Sequence, residues 1–130
     1  MLETVKVQLL NLIKSLDYHI TDNGRYEESF PWLMLRTQGR KFTFSQDIKF
    51  DIITFVIDIF STYPGEKEII DICDDILEHL PSLREENPSI TNIALKRMNI
   101  LDDNATGPVR KHGVLTFDFI LTSGWGTADD

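Results

Sequence analysis

The chain has 130 residues, with 13 Lys and Arg against 21 Asp and Glu for a formal net charge of -8. That length holds one domain with a core of its own, and a 42% hydrophobic share excludes wholesale disorder. The acidic balance argues against a protein whose main task is gripping nucleic acid through its phosphates, and a lone cysteine, Cys73, excludes an internal disulfide and a cysteine-based zinc cluster. No apolar run approaches the roughly 20 residues of a membrane span. Met1–Lys6 does not lead from a basic segment into an apolar core, so no secretory leader is expected and a reducing, soluble compartment is.

Leu2–Leu16 reads as an amphipathic helix. Leu2, Val5, Leu9, Leu12 and Leu16 follow one face, and Val7, Leu10 and Ile13 widen it. Asp22-Asn23-Gly24 is a turn signal. Trp32–Arg36, entered through Pro31, predicts a short strand, and polar Gln38–Asp47 predicts a loop or hairpin tip. Ile48–Ser61 is the strongest strand, rich in β-branched and aromatic residues. Its apolar residues fall on both parities, which fits a central strand covered on both faces, or covered on one and laid against a partner on the other. Glu66–Leu80 returns to helical spacing, with Ile69, Ile72, Cys73, Ile76 and Leu80 on one face and acids in the first turn, until Pro81 stops it.

Ser82–Ser89 reads as a polar connection. Ile90–Leu101 reads as a strand with Ile93 and Leu95 on one parity and Ala94, Met98 and Ile100 on the other. Asp102–His112 is a long polar loop, and Val114–Thr122 alternates cleanly, sending Leu115, Phe117, Phe119 and Leu121 toward the core. The order α-β-β-α-β-β predicts a single α+β domain over residues 1–123, an antiparallel sheet with two helices packed on it. A flexible acidic tail, residues 124–130, follows.

Motifs for chemistry are sparse. Asp102-Asp103-Asn104-Ala105-Thr106-Gly107 begins like a calcium loop, but Gly113 stands where the bidentate acid belongs. His19, His79 and His112 are read as ordinary histidines, with no carboxylate at a ligating step on a shared helix face. Cys73 lies on an apolar helix face as a small hydrophobe. Asp51, Asp58 and Asp118 read as strand acids that face solvent or blunt an edge. Basic residues cluster only at Arg40-Lys41 and Arg110-Lys111-His112. Neither a phosphate loop nor a nucleophile elbow occurs, so no catalytic, cofactor or metal residue is expected.

One pattern points further. Ile57-Asp58-Ile59-Phe60-Ser61 runs through Pro64-Gly65-Glu66-Lys67-Glu68 into Ile69-Ile70-Asp71-Ile72, and a late strand opens His112-Gly113-Val114-Leu115-Thr116-Phe117-Asp118-Phe119. That combination resembles the tail terminator (tail-to-head joining, or tail completion) proteins of siphovirus-type phages, over nearly the whole chain. The resemblance implies a structural virion protein, not an enzyme, that forms a hexameric ring on the last tail-tube ring and stops tube growth. Its implied partners are further copies of the chain, the major tail-tube protein and the head-completion connector protein. Phage DNA passes through the lumen without specific binding, and no membrane or cofactor is involved. The implied location is the head-tail junction of the virion, with the host cytoplasm during assembly. Candidate subunit or partner contacts are Arg40, Lys41, Asp102, Asp103, Arg110, Lys111 and His112. The alternatives are another phage neck or tail-completion component, an acidic DNA-mimic inhibitor of a host nuclease, and a small enzyme.

Overall fold

Side-chain alternation along five strands decides which face of one sheet the helices cover. The computed structural model describes residues 2–22, 29–103 and 107–124. In chain order these form α1 (Leu2–Ser15), β1 (His19–Thr21), β2 (Trp32–Ser45), β3 (Ile48–Ser61), α2 (Lys67–His79), a 3-10 turn (Leu80–Ser82), α3 (Leu83–Glu86), β4 (Ile90–Asp102) and β5 (Lys111–Gly124). The sheet order is β1-β2-β3-β5-β4. Only β1 and β2 run parallel; every other pairing is antiparallel. This is the α+β class expected, with one strand more than the expected order contains.

The core lies between the sheet and the helices. Ile53, Phe55, Ile57 and Ile59 of β3 face it with Leu115, Phe117, Phe119 and Leu121 of β5, all buried as the alternation of β5 predicts. From above, α1 supplies Val5, Leu9 and Ile13, and α2 supplies Ile69, Ile72, Cys73 and Ile76. Val7, expected to widen the apolar face of α1, is exposed instead. Asp17, in the left-handed conformation at φ 68, ends α1, and its N–H donates to the Lys14 carbonyl.

Four expectations about the elements need correction. Gln38–Asp47 is mostly strand, because β2 runs to Ser45 and leaves only Gln46 and Asp47 as the turn, with Gln46 at φ 54. Ser82–Ser89 contains α3, which seats Leu83 in the core. The loop at Asp102–His112 is shorter than expected, since Asp102, Lys111 and His112 are paired strand residues. The parities of β4 shift at bulges between Ile90 and Asn92 and between Leu95 and Arg97, so Ile93, Met98 and Ile100 all pack on the core while Leu95 is exposed. Gly124 closes β5 opposite Ile48; residues 125–130 of the expected tail, and Asn23 and Gly24 of the expected turn, lie outside the described residues.

Candidate functional site on the open sheet face

Among the described residues the second face of the sheet carries no helix, and its side chains build a linked aromatic and polar arrangement. β2, β3 and β5 bring Trp32, Phe60 and His112 into one cross-strand row. Trp32 stacks on Phe60 at 4.8 Å between centroids and Phe60 on His112 at 4.6 Å. The indole N–H of Trp32 donates to Thr21 Oγ1, tying β1 to the row. This row accounts for Phe60 on the open parity of β3, which supports neighbouring strands rather than a second layer of helices.

Beneath the row sits Asp58, only 3% exposed. Its carboxylate accepts from Arg36 Nε at 2.8 Å and stands 2.9 Å from His112 Nε2. Burial alone would push this carboxyl up; the hydrogen bonds from His112 and Arg36, with their charges, more than offset it and hold the group below its ordinary value. On the other side of the sheet, in register with the core residues Ile53 and Leu121, Asp51 is likewise buried, held by Arg40 Nε at 3.0 Å and by a second guanidinium nitrogen at 2.6 Å. The expectation of solvent-facing acids therefore fails for Asp51 and Asp58, because each is buried against a cation from the adjacent strand. Asp118 accepts from Thr54 Oγ1 at 2.6 Å.

The candidate contact residues fall into two separate groups. Asp102, Asp103, Arg110, Lys111 and His112 meet at the β4–β5 end: Lys111 pairs with Asp102, the Asp103 N–H donates to the Arg110 carbonyl, and the Arg110 N–H donates to Ser61 O at 2.8 Å. Arg40 and Lys41 lie opposite Ile53 and Ile52, eight or more residues away along β3 from Ser61. At about 3.4 Å per residue that is roughly 27 Å. Lys41 is exposed.

A cleft of about 430 Å³ lies at the middle of the open face, lined by Gln38, Gly39, Thr54, Lys96, Arg97 and Thr116. It is framed by two bulges in register across the sheet. Thr37, Phe55, Phe117 and Leu95 form one continuous row, with extra residues Gln38 and Lys96 inserted directly after its outer ends. Gly39 leaves its wall open, because a Cβ there would meet nothing within 4 Å. Periodicity could not have located this cleft, since bulges break it.

Elsewhere, His79 does have carboxylates at ligating steps, contrary to expectation: Asp75, Glu78 and His79 come together on α2. The imidazole Nδ1 lies 2.8 Å from the Asp75 carbonyl, and Tyr18 donates to the Asp75 carboxylate at 2.7 Å, so the group already has structural uses. Burial, with the nearby Asp74 charge, pushes the Cys73 thiol up to about 12, which keeps it a thiol. Asp102 and Asp103, the first acids of the calcium-like stretch, are used in the strand pairing and loop closure just described, and residues 104–106 lie outside the described residues. Compared with protein-family models and with curated proteins, the sequence matches none.

Proposed function

We propose that the chain is a structural ring subunit of a phage tail, a terminator that closes the tail tube and receives the head connector. The observation that carries this reading is the one-sided sheet. Helices cover one face; the other displays Arg36, Lys41, Lys96 and Arg97 among partly exposed apolar side chains such as Ile52, Phe60 and Ile120. A surface of that kind suits burial against another protein, because scattered apolar groups supply area and the charges fix orientation. The acids concentrate on the helix side: α2 alone carries five against one lysine. In a ring that passes DNA, acids left exposed toward the channel would keep the phosphates from adhering, where cations would hold them. The opposite charge of the helix side and the open sheet face suits contact between proteins. The alternatives named from the sequence, a different neck component or a DNA mimic, predict other locations. Immunogold electron microscopy of purified tails tests the reading. Label is expected as a ring at the head-proximal end, and tails carrying the protein elsewhere, or not at all, overturn it.

A further inference from the structure

The cleft between the two bulges has an unbalanced electrostatic character. Lys96 and Arg97 form one wall. Asp118 stands 3.9 Å from the Lys96 ammonium and already accepts from Thr54, whereas Arg97 has no partner among the described residues. The remaining lining is an amide, two hydroxyls and the bare backbone of Gly39. One acid against two cations leaves the cleft positive, and the Gln38 amide and the Thr116 hydroxyl can add hydrogen bonds, Thr54 having given its own to Asp118. Such a lining suits carboxylates.

Carboxylates without partners are displayed on the opposite side of the same molecule. Asp74 and Glu78 stand exposed one turn apart on α2, neither in an ion pair or hydrogen bond among the described residues, with Glu78 beside Asp75 and His79. Like charges at this spacing repel and weaken an isolated helix slightly. Their neighbours differ: Asp71 is neutralised by Lys67 at 2.6 Å, and Asp75 is occupied by Tyr18. The two carboxylates therefore form a negative patch on a rigid element.

We propose that the cleft is one half of a contact between copies of this chain, and that Asp74 and Glu78 of the next copy dock against Lys96 and Arg97. The two surfaces are different and lie on opposite faces of one molecule, so the contact is head-to-tail, the kind that closes into a ring when the rotation per copy permits. The inference rests on the reading of the chain as a ring subunit and names the groups that join its subunits. Gly39 and the in-register bulges then have a purpose, since they open and bend the sheet where a helix surface must approach.

Two variants test it in complementary fashion. One carries Lys96→Glu and Arg97→Glu, the other Asp74→Lys and Glu78→Lys. All four positions are exposed, so both are expected to melt like the wild type. Sedimentation at low salt, taken to about 1 mM protein, should show wild-type association that weakens as salt is added. Each variant alone should associate roughly a hundredfold more weakly, because like charges then face each other. Mixed in equal amounts they should regain association, since each reversed surface finds an opposite one. A carboxylate-to-amine zero-length cross-linker should join Lys96 to Asp74 or Glu78 between isotopically distinct copies. A wild type that stays monomeric over this range, a mixture that fails to recover, or cross-links at other positions overturns the contact. So does a cleft that binds short DNA and loses it on reversal, which would assign its cations to phosphate. None of these outcomes touches the location of the protein on tails, which microscopy reads separately.

Discussion

Asp58 shows how a single buried side chain joins three strands. It lies on β3, accepts from Arg36 on β2 and meets His112 on β5, while the aromatic row above keeps water away from it. Replacing it by Asn keeps the shape but removes the charge that both partners address. Asp58→Asn should cost about 1.5–3 kcal/mol at neutral pH, the range for hydrogen bonds to charged groups. The folded protein holds this carboxyl below its ordinary value of 3.8. Its ionised form is thus favoured by folding, and its contribution is fully present above that value. The contribution is lost as the pH falls through the lower folded-state value. Denaturant melts should show the wild type the more stable above about pH 5, with the gap closing as the pH falls from about 3.8 through the lower folded-state value. A gap that persists unchanged into acid would mean that the carboxylate charge does not support the fold. None of this was legible in the sequence. Asp58 and His112 are 54 residues apart, and strand periodicity gives the face of each residue without giving its partner across the sheet.

At the scale of elements, legibility followed burial. The β5 alternation and the spacing of α2 both point the right residues inward, because one face of each is packed and the other is wet. The outer half of β2 escaped, since Gln38–Ser45 has little buried surface to impose a period. β1, only three residues long, left no signal, and the bulges displaced the β4 parity. One local feature does set how closely α2 lies on the sheet. A Cβ built on Gly113 would stand 2.5 Å from Ile69 Cγ2 and 3.5 Å from Ile59 Cβ. Ile69 is fully buried and, being β-branched, cannot swing aside cheaply. Glycine sits in this strand because a helix comes too near for anything larger. Gly113→Ala should therefore destabilise by about 1–3 kcal/mol despite alanine's better intrinsic fit to an ordered backbone. Ile69→Ala removes the obstructing methyl, so the double variant should be more stable than the sum of the single effects by about 1 kcal/mol. Strict additivity in a denaturant-melt cycle would show that the helix simply shifts outward.

Considered whole, the molecule has two ends of different chemistry, as the proposed joining ring would require for its two contacts. At one end the β2–β3 hairpin presents Phe42, Phe44 and Ile48, with Phe44 61% exposed. The Arg40 guanidinium and the Lys49 ammonium lie over the Phe42 ring at 4.8 and 4.5 Å, stiffening the tip without hiding it. At the other end the β4–β5 connection is charged, with Arg110 exposed and Lys111 paired to Asp102. Exposed aromatic surface suits a permanent seat, whereas exposed charge suits a late encounter that must be fast and oriented. On the terminator reading, the hairpin tip meets the tail tube and the charged end meets the connector. Phe44→Ser should change stability by no more than about 0.5 kcal/mol, as exposed substitutions generally do. Assembled in infected cells, that variant should leave rings unseated and tubes overgrown. Arg110→Glu with Lys111→Glu should instead give terminated tails of normal length that join few heads. Micrographs separate the two outcomes, because one alters tail length and the other alters only joining. If the aromatic variant yields normal tails that fail to join, the orientation is inverted: the hairpin then faces the head, and the charged end should control tube length.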